Sequence, residues 1–517
     1  MANSVTRPGR PMSTPVRSAH PTALPSAAVL ESTLRELVAS SLAVSPTEPA
    51  VPAVSSRDPG RPAVLPAAVL WTGLLVGILR GFSSQREIWQ LLCVHGLWES
   101  PHFPITDAAF YQRLARTPAT ALQTLFVQVT QALQARFAYH TVGAALAGRP
   151  LAAFAAGIFA FDHTHLAGVA RRLRALRDVP AGDDRLLPGA LGACFDLRRQ
   201  QWTKALFTTQ TTGNLARTHA PLPASEPAGE TVAAAGTGGA PVGGDATAGA
   251  LLAGLPVGSL ILADLGFFSF AWFDQLSTAG YWFVSRLRER VTYVTCHVLY
   301  HGTAAGVTVR DSLIYLGKHR ADRAGQPVRL VEITLGQQHY TYLTNVLDPR
   351  QLPVWEVQEL YRRRWNIEQV FDLLKTHLGL HLLWSASLPV VQQQVFATLI
   401  IAQIVLALRT EVATAAGADV REVSLPLLVR WLPRLATMGR DPLAEFIAAG
   451  RRAGYIRPFR GKQWVVPEIA AEHYTVPEAP PPPRPPRYGS RDYHRRKCAE
   501  TGLSRRQRCK AVRQTVI

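Results

Sequence analysis

Residues 355–378 read WEVQELYRRRWNIEQVFDLLKTHL. Helix formers fill the run, neither Gly nor Pro interrupts it before Gly379, and Pro353 stands where a helix can begin, so the stretch predicts one long helix. At about 100° per residue, Leu360, Ile367, Phe371, Leu374 and Leu378 form one apolar stripe that must be buried. Tyr361, Arg364, Glu368 and Lys375 form a second stripe, roughly 60° wide, directly beside it. Asp372 projects onto that second stripe as well. Four or five polar groups at the rim of a buried seam admit two readings: a solvated edge laced with i,i+4 ion pairs, or a functional rim.

Working outward decides between them. Downstream, VVQQQVFATLIIAQIVLALRTEV (390–412) is an apolar helix expected to pack on the first. Upstream, after Pro150, the apolar period changes from 3.6 to 2 in GIFAFDHTHL (157–166), LGACFDLRR (191–199) and WTKALFTTQ (202–210). GSLILADLG (258–266) adds a buried strand, then an aromatic-rich helix, then the strand YWFVSRL (281–287). Asp162 and Asp264 stand at the ends of two of these apolar runs, where a carboxylate needs a compensating partner, and a divalent cation is one such partner. With Glu368 they make three hard-oxygen ligands from two strands and a helix, a set that can hold a pair of Mg²⁺ ions on a phosphodiester. His163 and His165 flank the first aspartate but have no Cys nearby and no spaced His partner for a zinc site.

The formal net charge of +19 among 517 residues, 18% of them charged and 47% hydrophobic, describes a globular chain with a polyanionic partner, nucleic acid before an anionic membrane. Cys93, Cys194, Cys296, Cys498 and Cys509 are scattered without a CxxC pair, which fits a reducing cytosol rather than a disulfide framework. The apolar runs Ala67–Leu79 and Val395–Leu408 are too short to span a bilayer, so no membrane association is expected.

The spacing Y-x2-R-x3-E-x6-K of Tyr361, Arg364, Glu368 and Lys375 is similar to the signature of a group of DDE-type insertion-sequence transposases, and YRRRWNIEQVFDLLK resembles their catalytic helix nearly throughout. Asp162 in DHTH and Asp264 in ADLGFFS resemble the family's first and second catalytic aspartates. His163 and Leu265 depart from the residues common there, without removing a ligand. The resemblance, over roughly residues 63 to 420, implies an α/β chain with a ribonuclease H-like catalytic core interrupted by a β-rich insertion. It implies metal binding by Asp162, Asp264 and Glu368, two Mg²⁺ (or Mn²⁺) ions per site, and phosphate contacts from Tyr361, Arg364 and Lys375. Terminal inverted repeats and target DNA are the implied partners, a homodimer on DNA the implied assembly, and the bacterial cytoplasm, at the nucleoid, the implied location. Two other readings stay open: a silent DNA-binding derivative, and a nuclease without strand transfer.

The expected organisation follows. Residues 1–62 form a basic Pro/Ser/Ala-rich arm; 63–150 a helical, DNA-binding domain; 151–290 the first part of the core, with a flexible Ala/Gly/Pro loop at 216–249. Residues 291–350 form the β-rich insertion, 351–420 the catalytic helix and its successor, and 421–478 a small helical region. Residues 479–517 are a Pro-rich spacer and a basic disordered tail, with eleven Lys/Arg against two acids beyond Pro480.

Overall fold

The computed structural model describes residues 65–96, 102–136, 145–146, 149–166, 178, 190–208, 248–318, 322–385, 387–458 and 466–488. The N-terminal arm, the Ala/Gly/Pro loop up to residue 247 and the basic run beyond Tyr488 lie outside them, as do Cys498 and Cys509. Cys93, Cys194 and Cys296 carry free thiols.

The period-2 segments build one sheet. Strands β1 (Ile158–His165), β2 (Ala190–Asp196), β3 (Gln201–Thr208), β4 (Leu260–Ala263), β5 (Trp282–Arg286), β6 (Tyr293–Ala304), β7 (Val307–Leu316), β8 (Val328–Leu335) and β9 (Gln338–Thr344) lie in the order β3-β2-β1-β4-β5-β9-β8-β7-β6. The pairs β1–β4 and β4–β5 are parallel and all others are antiparallel. The β-rich stretch at 291–350 thus continues the central sheet, because β9 pairs directly with β5 (Leu343 opposite Ser285).

Alternation sorts the parallel strands between two cores. Ile158, Ala160, Leu260 and Leu262 face the larger one; Phe159, Phe161, Ile261 and Ala263 face a second, packed with Phe267, Trp272, Phe273 and Phe283. Asp162 and Asp264 continue the first series, onto the face that the long helix covers.

The helices are α1 (Ala67–Leu79), α2 (Gln85–Trp89), α3 (Asp107–Arg116), α4 (Thr120–Arg136), α5 (Ala248–Leu252), α6 (Phe270–Thr278), α7 (Val354–Arg363), α8 (Trp365–Asp372), α9 (Leu388–Ala415), α10 (Leu425–Thr437) and α11 (Pro442–Ala448). Thr106 caps α3, its hydroxyl accepting from the Ala109 N–H at 3.3 Å. The N-terminal helices do not stand apart: Leu70, Leu74, Phe110, Leu122 and Phe126 share the larger core with Val395, Phe396 and Leu399 of α9. Helix α9 extends the apolar run to 28 residues, long and apolar enough to cross a membrane by composition, yet 89% of its most apolar window is buried inside the protein. Its glutamines explain that placement. Gln393 Nε2 donates to Leu114 O at 2.9 Å, and Gln403 accepts from Trp202 N (3.0 Å) while donating to Trp202 O and Thr130 Oγ1 (2.8 Å each). One amide thereby satisfies the outer edge of β3 and ties α4 to the sheet. Gln403→Leu would leave those groups buried without partners, and should cost about 1–3 kcal/mol per orphaned group in chemical denaturation.

The Pro-rich segment is docked rather than free as far as Tyr488. Thr475 N–H donates to Leu299 O at 2.8 Å, and the Arg484 guanidinium stacks 4.7 Å from the Tyr315 ring centroid and donates to Leu316 O, Gly317 O and Ala324 O. Tyr488 donates to Asp274 Oδ2 at 2.5 Å, an oxygen that also receives the Gly325 N–H. A polyproline run has few backbone donors of its own, so side chains and isolated N–H groups make the attachment.

Candidate active site

Parallel register places the two aspartates together. Phe161 pairs with Ala263, so Asp162, in mid-β1, and Asp264, just past the end of β4, emerge side by side where the parallel pairing of the two strands ends, on strands about 4.8 Å apart. Asp264 leads into a 3₁₀ turn, Leu265–Phe267. Arg288, beyond β5, donates to Leu265 O at 2.7 Å and stacks 5.2 Å from the Phe268 ring, fixing the backbone behind that aspartate. The His163 ring meets the edge of Phe267 (centroids 6.3 Å apart), and the His165 side chain is outside the described residues.

The long helix is one helical path with two irregularities, not an uninterrupted α-helix. Arg364 joins α7 to α8 with helical dihedrals, but its N–H is shared between Leu360 O and Tyr361 O (3.2 Å each) and its own carbonyl accepts from Ile367 N–H at 3.1 Å. After Asp372 the chain widens into a π-turn, Leu373–His377. Such departures cluster at functional positions, and here the tightened turn carries Arg364 and the widened one Lys375.

Buried ionic contacts hold the helix in place. Glu356 accepts the Ala152 N–H, tying α7 to the segment before β1. Arg363 Nε donates to Glu359 Oε1 at 2.8 Å, and Arg421 Nη1 lies 3.6 Å from the same oxygen while its Nη2 pairs with Asp419 at 3.0 Å. These positioning residues escaped the sequence reading. Their one visible signal is the run Arg362–Arg364, which helical geometry must spread over three directions: to Glu359, into the core, and to the site.

The Arg364 guanidinium reaches both Glu368 (Nη2 to Oε1, 2.5 Å) and Asp162 (Nη1 to Oδ2, 3.7 Å), and lies 5.5 Å from the Tyr361 ring centroid. Burial pushes the Asp162 carboxyl up to about 6; the His163 N–H (2.7 Å) and Arg364 oppose that, while the charges of Asp264 and Glu368 add to it. Burial pulls Arg364 down, but Tyr361, Asp264 and Glu368 outweigh it and the net shift is upward. Both shifts are upward but act oppositely on charge: burial disfavours the ionised Asp162 carboxylate, whereas the groups around Arg364 favour its charged guanidinium. Burial likewise pushes the Tyr361 phenol up to about 12. Asp162, Asp264, Tyr361, Arg364 and Glu368 are therefore one electrostatic group. Lys375 lies seven residues beyond Glu368, roughly 10 Å along the axis. Asp372 is turned away: its side chain is 61% exposed, accepts from Thr376 Oγ1 at 2.6 Å and sits 3.6 Å from His377 Nε2.

Residues 229–404 match the family described as the transposase DDE domain. That stretch is similar to the DDE domain of transposases. The match includes Asp264, Tyr361, Arg364, Glu368 and Lys375 and begins after Asp162. It supports a transposase function acting on DNA, in a family that typically uses divalent metal ions. No curated protein matches the chain.

The donor chemistry of this site suits such ions. Asp162, Asp264 and Glu368 offer only hard oxygens, and the upward shift at Asp162, caused chiefly by burial with smaller contributions from Asp264 and Glu368, marks a carboxylate whose charged form a cation would stabilise. In this conformation, among the described residues, no three His, Cys, Asp or Glu side chains are gathered closely enough to hold an ion. The Arg364 guanidinium, in contact with two of the three carboxylates, supplies the positive charge there instead.

Proposed function

We propose that the chain is the DNA transposase of an insertion sequence, cutting the element's ends and joining their 3′-hydroxyls to target DNA. The observation that carries this reading is the pair Asp162 and Asp264 on adjacent parallel strands, coupled through Arg364 to Glu368, in a chain whose residues 229–404 match the transposase DDE domain. The strand order β3-β2-β1-β4-β5, antiparallel in its first three strands and parallel thereafter, supports a ribonuclease H-like core.

Asp162, Asp264 and Glu368 would hold two Mg²⁺ or Mn²⁺ ions. When bound, such ions neutralise the scissile phosphodiester and activate the attacking hydroxyl. No protein nucleophile is required. Arg364, backed by the Tyr361 ring, and Lys375, further along the same helix, offer donors to the phosphates of the cleaved strand. Arg113 and the exposed Arg116 at the end of α3 give the N-terminal helices a basic side for DNA, and two copies of the chain acting together on paired ends complete the proposal. Such work places the protein on the nucleoid in the cytoplasm.

The test is incubation of the purified protein with duplexes carrying the DNA ends that flank its own gene, with and without Mg²⁺ or Mn²⁺. Divalent-ion-dependent cleavage, followed by joining of the 3′-hydroxyl ends into a target plasmid, is expected. Cleavage without joining would reduce the protein to a nuclease, and no cleavage would overturn the reading. The basic tail has its own test. Removing residues 489–517 spares the docked segment through Tyr488 and should weaken non-specific DNA binding. It should also flatten the log–log dependence of affinity on salt, by roughly 0.9 in slope for every phosphate the tail neutralises. An unchanged slope refutes a DNA role for the tail.

A further inference from the structure

Arg364 combines three observations that a plain ion pair does not explain. Its side chain is nine-tenths buried, it touches two carboxylates from different elements, and it is under-used: only Nη2 makes a hydrogen bond to an acid, while Nε and Nη1 are buried without hydrogen-bond partners. A guanidinium has five N–H donors in a planar fork suited to phosphate, and leaving them unpaired in a buried place is unfavourable. The same group occupies ground that metal ligation needs, since Asp162 and Glu368 cannot both face a divalent ion and keep their contacts with Arg364.

We infer that Arg364 is a tethered counter-cation: it neutralises Asp162 and Glu368 while the site is free of DNA, opposes divalent-ion loading in that state, and releases both carboxylates when a DNA phosphate engages its unused donors. The inference rests on the reading of Asp162, Asp264 and Glu368 as metal ligands. It makes metal loading and DNA engagement cooperative by linkage, because phosphate and carboxylate compete for one guanidinium. A chain of this kind would not assemble a loaded cutting centre before its substrate is in place. The Tyr361 ring beneath the guanidinium offers a surface over which the side chain can swing while keeping its apolar support.

The test is titration of the DNA-free, full-length protein with Mn²⁺ by calorimetry, comparing the wild type with Arg364→Ala and with the double variant Arg364→Ala/Glu368→Gln. Arg364→Ala should bind Mn²⁺ about tenfold more tightly than the wild type, and the double variant should lose that gain. Arg364→Gln, which keeps a donor for Glu368 and much of the stem packing without the charge, should behave as Arg364→Ala and serves if the alanine variant does not fold. Binding in the alanine variant that depends on Glu368 but is no tighter than in the wild type overturns the counter-cation role alone. Binding that Glu368→Gln leaves untouched, or no binding in any variant, overturns the metal-ligand reading and the inference with it.

Discussion

Glu368→Gln is expected to lower divalent-ion-dependent cleavage of end-bearing DNA by at least about 1,000-fold, equivalent to about 4 kcal/mol of transition-state stabilisation, while leaving DNA binding within a few-fold of the wild type. The amide has the size of the carboxylate, and its oxygen can still accept from Arg364 Nη2, the 2.5 Å contact that joins the two residues. What the substitution removes is the charge and the second hard-oxygen donor. Asp372→Asn is the matched control: that carboxylate shares the same stripe in a helical projection, yet its contacts are with Thr376 and His377, so cleavage should stay close to wild type. A nicking assay on a labelled duplex, with a gel shift on the same preparation, measures both quantities. Unchanged cleavage by Glu368→Gln, or loss by Asp372→Asn, would refute the choice of Glu368.

The strands and their order of appearance were legible because period-2 alternation is a local signal, and the two aspartates stand out because each closes an apolar run, although β1 itself continues past Asp162 to His165 by pairing with β2. The two stripes of the long helix were legible for the same reason at period 3.6. Asp372 shows the limit of that projection: an angle around an ideal axis says which side a residue occupies, but the widening into the Leu373–His377 π-turn and a partner one turn away decide where its side chain goes. The tightened turn at Arg364 has no sequence signature, since Arg, Trp and Asn tolerate either hydrogen-bond pattern.

What the sequence hid is long-range pairing. Gln403, 201 residues from Trp202, looks like a blemish in an apolar run until the unpaired edge of β3 is placed beside it. Glu359, Arg363, Asp419 and Arg421 look like surface charges until α7 is buried against the turn after α9. The Pro-rich segment illustrates a different degeneracy: an extended polyproline chain has nearly the same local conformation free or docked, so only Arg484, Tyr488 and their acceptors on the sheet and α6 distinguish the two.

Asp311→Ala is expected to cost about 3–5 kcal/mol of unfolding free energy. Asp311 on β7 and Arg329 on β8 are both fully buried, and the pair is bidentate, with Nε–Oδ1 at 2.8 Å and Nη2–Oδ2 at 2.6 Å. The third arm of the guanidinium, Nη1, donates at 2.6 Å to Leu352 O, immediately before the Pro353 cap of α7. Taking away the aspartate strands a fully buried cation with one neutral acceptor, Leu352 O, and most of the cost comes from that buried charge rather than from the worth of the pair. The double variant Asp311→Leu/Arg329→Met removes both charges at similar volume, and should recover most of the stability, leaving chiefly the missing donor to Leu352 O. Because that donor fixes the start of the helix that carries Arg364 and Glu368, the double variant should remain folded yet cleave more slowly than the wild type. Denaturant unfolding monitored by tryptophan fluorescence, together with the nicking assay, separates these effects. A single variant that costs less than about 1 kcal/mol, or a double variant no more stable than the single, would mean that the pair is hydrated in solution and does not anchor the helix.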